Sequence, residues 1–142
     1  MFSNMGYDDL VGNTRRECVT VDAARSIEFL GEALRVYSTP AMVNDVEYAT
    51  LRLIQSHLSE AESSVGVNVE LDHLGATPLG EQVVITVTVT AVEGRRVTTT
   101  AEVTDRVEMV GRGRHTRFII DIDRHAQRLQ DKAEALRAAE SR

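Results

Sequence analysis

The chain has 142 residues, 42% of them hydrophobic, with a formal net charge of −6 and one cysteine. That is one domain's length with enough apolar mass for a single core, and its acidic balance excludes general nucleic-acid binding while leaving room for a local basic patch. Cys18 has no partner for an internal disulfide and fits a cytoplasmic setting. No apolar run approaches the ~20 residues of a membrane span, and no secretory leader is expected.

Residues 1–14 are polar and contain glycine and asparagine, so they read as a flexible N-terminal arm. Residues 15–21 are strand-like, with Cys18, Val19 and Val21 apolar. Asp22 is a plausible cap for a short helical piece or lid over residues 23–36, with Phe29 and Tyr37 expected to pack in the core. Residues 38–58 carry the longest helical pattern. Met42/Val43, Val46, Ala49, Leu53/Ile54 and Leu58 recur on one face, and Thr39-Pro40 supplies a hydroxyl cap followed by proline.

Beyond residue 64 the period changes to two. Val65, Val67, Val69 and Leu71 alternate with polar residues, which predicts a half-buried strand. Residues 76–80 form a turn containing Pro78 and Gly80. Residues 82–91 are the clearest strand, with Val83, Ile85, Val87 and Val89 on one face. Glu93-Gly94 makes a hairpin turn into residues 95–104, where Val97, Thr99, Ala101 and Val103 point inward. After a turn at 105–108, residues 109–122 form a long strand in which Gly111 and Gly113 mark bulges or a close backbone approach. Residues 124–140 form a solvated helix with a weak stripe of Ala126, Leu129, Ala133 and Leu136. The order predicts an α+β fold, an antiparallel sheet wrapped around one central helix, with an additional C-terminal helix.

Several short pieces share an order and a spacing. Thr39 precedes the helix residue Glu47 by eight positions, and Gly66 and then His73 follow, His73 lying 26 positions past Glu47. Thr77-Pro78 with Gly80, and Gly113-His115-Arg117, complete the set. Together they resemble the hot-dog thioesterases, in particular the branch containing fluoroacetyl-CoA thioesterase, over about residues 15–123. The resemblance implies a hot-dog domain followed by a C-terminal helical extension at 124–142, and a homodimer with acyl-CoA bound near the subunit interface. By the same resemblance Thr39, Glu47 and His73 are the catalytic residues. Two departures stand out: Asn44-Asp45 occupy positions that are commonly apolar or small in that branch, and the segment 27–37 has few aromatics, so selectivity for a fluorinated two-carbon acyl group is not carried over.

Thioester hydrolysis needs an activated nucleophile and a donor for the developing oxyanion. Glu47 can deprotonate water, or attack directly to give a mixed anhydride. His73 can hold Glu47 or protonate the leaving thiolate, and Thr39 offers a hydroxyl donor. The backbone N–H of Gly66 is a candidate oxyanion donor. His115 and Arg117 share a strand face and are candidate substrate contacts, an arginine here being able to meet the phosphates of coenzyme A. No metal or cofactor is expected beyond the coenzyme A of the substrate, since the four histidines, 57, 73, 115 and 125, have no close ligand spacing. A non-catalytic protein binding an acyl-CoA or small hydrophobic ligand is the alternative reading, and a structural dimerisation module a third.

One geometric constraint accompanies the set. Thr39 and Glu47 on one straight helix lie ~12 Å apart along its axis and cannot hydrogen-bond. Thr39 must sit in a turn that folds back, or the helix must restart at the capping types Asn44-Asp45, or a second subunit must supply one partner.

Overall fold

The computed structural model describes residues 6–140. Five strands, β1 (Thr14–Thr20), β2 (Glu62–His73), β3 (Gln82–Glu93), β4 (Arg96–Thr104) and β5 (Met109–Asp121), form one antiparallel sheet in the order β1-β3-β4-β5-β2. Helix α1 (Thr39–Gln55) lies across one face, and α2 (Ile122–Glu140) follows β5 directly. The α+β expectation holds, as do the threonine–valine strands: Val83, Ile85, Val87 and Val89 of β3 and Val97, Thr99, Ala101 and Val103 of β4 are all buried. Each such aliphatic residue contributes roughly 1.5–3 kcal/mol by leaving water. They pack against Met42, Val46, Ala49, Leu53 and Ile54 of α1, the face that the sequence period marks.

Pairing order differs from chain order at one point. The strand before the Thr77-Pro78 turn does not form a hairpin with β3. It crosses to the opposite edge and pairs with β5. The crossover is pinned where Tyr37 N–H donates to Thr77 O (2.8 Å) and the Thr77 hydroxyl donates to Asp105 (2.9 Å). This leaves β2 and β1 as the two edges of the sheet.

Within β2 the simple alternation also fails. A register shift between Gly66 and Asn68 leaves Val67 as a bulge. Before it, Val65 pairs with Phe118; after it, Val69, Leu71 and His73 pair with His115, Gly113 and Gly111. Directly paired residues share a face, so the bulge brings Gly66 and His73 to the same, helix-facing side. Val65, Val67, Val69 and Leu71 therefore do not form one apolar face.

Other expectations are corrected. The helix cap is Ser38, whose hydroxyl accepts from Ala41 N–H (3.1 Å), so Thr39 is already inside α1 and its side chain is not the cap. The helix does not restart at Asn44-Asp45. Residues 22–37 are not a helix but a strap of turns, with a 3-10 turn at Glu32–Leu34 and isolated bridges Ser26–Tyr37 and Val36–Pro78. Tyr37 is buried as expected, but Phe29 is 79% exposed at the tip of the strap. Residues 1–5 of the expected arm, and residues 141–142, lie outside the described residues. Residues 7–13 of that arm are packed: Leu10 is buried and the Tyr7 hydroxyl donates to Glu62. Helix α2 buries no side chain, in keeping with a solvated helix.

Gly113 explains its glycine by contact: a Cβ there would overlap the Glu70 carbonyl. Gly113→Ala should lower the unfolding free energy by about 2–3 kcal/mol, since β2 must retreat from β5 to admit it; chemical denaturation of both proteins measures this.

Candidate active site

The site residues fall into two groups within one chain. The first gathers around Glu47, in the middle of α1. Its carboxylate lies over Gly66, such that a Cβ on that glycine would stand 3.0 Å from Glu47 Oε2 and 3.2 Å from His115 Cε1. Arg117 Nη1 lies 3.8 Å from Glu47 Oε2. Arg117 is itself held from behind: Nε donates to Ser64 Oγ (2.8 Å), Nη2 to Ser64 O (2.7 Å) and Nη1 to His115 Nε2 (3.1 Å).

The His115 tautomer follows from its partners. Nδ1 is 2.8 Å from the Asn68 carbonyl, which can only accept, so Nδ1 carries the proton and Nε2 is the acceptor for Arg117. Burial lowers the His115 pKa, and the adjacent Arg117 guanidinium lowers it further, against the raising effects of the Asn68 carbonyl and Glu47. Burial likewise lowers Arg117, while Glu47 opposes it. The result is a neutral imidazole behind a guanidinium, which in turn faces a half-exposed carboxylate.

Two clefts open at this group. One, of about 230 Å³, is lined by Asn44, Glu47, Tyr48, Leu51 and Arg117. The other, of about 300 Å³, is lined by Glu47, Gly66, Val67, Asn68, Val69 and His115. Neither contains Thr39 or His73.

Those two residues form the second group. Thr39 Oγ1 and His73 Nδ1 are 2.7 Å apart, joining the first turn of α1 to the end of β2. The ring of Tyr37 meets His73 edge-on, with centroids 6.2 Å apart. Eight residues of α1 separate Thr39 from Glu47, ~12 Å of axial rise, and seven residues of β2 separate Gly66 from His73, roughly 20 Å. Of the three ways around the helix constraint, a folded-back turn and a restarted helix are both absent from α1.

Sequence reasoning missed Ser64 and the Asn68 carbonyl. Both act through backbone register, and only the β2 bulge reveals which side of the strand they serve. Arg112 and Arg114 are on the outer face, where Arg114 pairs with Glu70 (3.0 Å). Among the described residues no cluster of His, Cys, Asp and Glu could hold a metal ion.

A helix wrapped by this five-stranded antiparallel sheet is the hot-dog architecture. The solved hot-dog-like protein from Thermanaerovibrio acidaminovorans has the same fold, with a TM-score of 0.81 at 28% identity, covering 92% of this chain and 96% of its own. A mutant of the fluoroacetyl-CoA-specific thioesterase FlK, crystallised with fluoroacetate and CoA, gives 0.74 at 30% identity over 81% of this chain and 98% of its own. The curated fluoroacetyl-CoA thioesterase of Streptantibioticus cattleyicolor is 32% identical over 100 residues, 70% of this chain and 72% of that protein. The family model for FlK, fluoroacetyl-CoA-specific thioesterase, matches residues 21–123. The chain belongs to this family of acyl-CoA thioesterases.

Stability should respond to His115. Its ordinary value is 6.5 and its folded value is lower, so below pH ~6.5 the unfolded chain binds a proton that the folded chain refuses. The melting temperature should therefore fall on acidification through that range and level off only once the folded ring also protonates. His115→Gln, which can donate and accept at the same two partners, should flatten this slope; melting curves between pH 8 and 5 (about three units) check it.

Proposed function

We propose that the chain hydrolyses an acyl-CoA thioester to the free acid and coenzyme A at a site completed by two copies of the chain. The separation of Glu47 from the Thr39–His73 pair carries this reading. A single chain offers each half of the machinery at a different place, and a dimer can bring unlike halves together.

The edge strand β2 provides the means. It is 12 residues long, bonded on one side only to β5, and exposes Val67 and Val69. A long, uncovered edge is a template for pairing with another chain. Antiparallel pairing of two β2 strands about a two-fold axis at Glu70, with Val67 bulged in each copy, would lay Gly66 of one copy against His73 of the other. Both residues face α1, so the second copy's Thr39–His73 pair would arrive beside Glu47.

In that arrangement Glu47 takes a proton from water as the water oxygen adds to the thioester carbonyl carbon. The Gly66 N–H and the Thr39 hydroxyl donate to the oxygen that becomes negative. When the tetrahedral intermediate collapses, the C–S bond breaks and the proton that Glu47 took from water passes through His73 Nε2 to the departing thiolate, while His73 Nδ1–H donates to Thr39 Oγ1. Arg117, fixed by Ser64 and His115, holds the Glu47 carboxylate towards Gly66. His115 has both ring nitrogens engaged, so its part is to support Arg117 rather than to touch substrate. Arg117 in turn meets substrate only through the cleft that it lines with Glu47. Asn44 and Tyr48, which also line that cleft, are the residues through which acyl selectivity would differ from relatives.

Thiol release from a panel of acyl-CoAs should fall by roughly 100-fold or more in Glu47→Ala and in His73→Ala. Mixing the two inactive variants, unfolding and refolding them together, should restore roughly a quarter of wild-type activity, because half the dimers then carry one intact site of two. No recovery on mixing would mean that each chain holds a complete site. Gly66→Ala is a second check. Its Cβ would meet side chains and no backbone, the end of Glu47, the His115 ring and Arg117 Nη1, so its melting temperature should stay within about 3 °C of wild type while kcat drops at least tenfold.

A further inference from the structure

A buried carboxylate with no part in the chemistry above is Asp45. It lies in the middle of α1, two residues before Glu47, and is 7% exposed. Tyr37 Oη donates to its Oδ2 (2.7 Å). Arg25, reaching in from the strap, clasps it with Nε to Oδ2 (2.9 Å) and Nη2 to Oδ1 (3.1 Å). The strap is tied beside this clasp: Ser38 N–H donates to Arg25 O (2.8 Å), and Arg25 N–H donates to Asp22 Oδ1 (2.9 Å). Tyr37 is 1% exposed, and its ring edge is the one aromatic contact of His73 among the described residues.

An apolar residue at position 45 would fill the same helix face without burying a charge, which is often as stable or more so. The carboxylate instead fixes where the Tyr37 hydroxyl sits, and so where the ring that borders the imidazole bonded to Thr39 is held. We propose that Tyr37 and Asp45 are positioning residues for His73: Arg25 holds the Asp45 carboxylate, Asp45 holds the phenol, and the phenol ring sets the plane of the imidazole that faces Thr39. This rests on the thioesterase reading of the Thr39–His73 pair. The buried phenol is also kept from ionising, by burial first and then by its bond to Asp45, so Tyr37 stays the donor of that bond.

Tyr37→Phe tests this, since it keeps the ring and removes only the bond to Asp45. The expected result is a fall in kcat of roughly five- to tenfold with KM within about twofold, a minor part of what a proton-transfer group supplies. In long-range proton–nitrogen spectra the His73 imidazole should move from one fixed tautomer towards an averaged pair. Asp45→Asn, whose amide oxygen still accepts from the phenol, should retain more kcat than Asp45→Leu. Unchanged kcat and unchanged His73 signals in Tyr37→Phe, with only the melting temperature lowered, would overturn the proposal and leave Tyr37 as core packing. If wild type releases thiol from no acyl-CoA, the function reading fails by itself, and the His73 spectra still decide whether Tyr37 sets the ring.

Discussion

The fixed rise of α1 is the constraint from which the rest follows. A continuous helix from Thr39 to Gln55 holds Thr39 at its first turn and Glu47 two turns further on, and no side-chain rotation closes the gap. The sheet reinforces the separation. Because β2 runs along the helix, Gly66 sits opposite Glu47 while His73 sits opposite Thr39, and each half of the chemistry acquires its own neighbours. Glu47 gains Arg117, Ser64 and His115; Thr39 gains His73 and Tyr37. In the proposed dimer, a two-fold axis across β2 would join these halves at one of the two edges of the sheet.

The fold was largely legible because its core obeys simple periods. The buried residues Val83 to Val89 of β3 and Val97 to Val103 of β4 fall at every second position, and α1 keeps its apolar residues on one stripe, so burial there follows from spacing. The failures occur where local rules compete with tertiary contacts. Ser38 and Thr39 are equally good capping types, and the choice of Ser38 becomes clear only when His73 is seen to engage Thr39. Asn44 and Asp45 look like caps because their side chains suit helix starts, yet Asp45 is retained inside the helix by Arg25 and Tyr37. The strap at 22–37 carries apolar residues at helical density, but Phe29, Leu30 and Leu34 are exposed at its tip and its order comes from backbone bonds to Thr77 and the Arg25 clasp.

The site was legible in its residue types and not in its grouping. Spacing along the chain put Thr39, Glu47 and His73 together in one motif, whereas three-dimensional register puts only Thr39 and His73 in contact. The bulge at Val67 is the reason that His73 faces the same side as Gly66, His115 and Arg117, and a one-residue irregularity of this kind leaves no compositional trace. Ser64 belongs to the same class: an unremarkable serine in sequence, it fixes the arginine that orients the carboxylate. The departures from relatives at Asn44-Asp45 acquire a physical meaning in the same way, one residue lining the Glu47 cleft and the other anchoring the strap.

The most direct measurement is a crystal structure with a non-hydrolysable ketone analogue of an acyl-CoA, in which a methylene replaces the thioester sulfur. The account predicts two copies joined through β2, with the analogue's carbonyl oxygen within hydrogen-bond reach of Gly66 N–H in one copy and the reacting carbon between that copy's Glu47 and the Thr39–His73 pair of the other. A carbonyl bound beside Glu47 with every Thr39–His73 pair in the assembly remote from it would contradict the account.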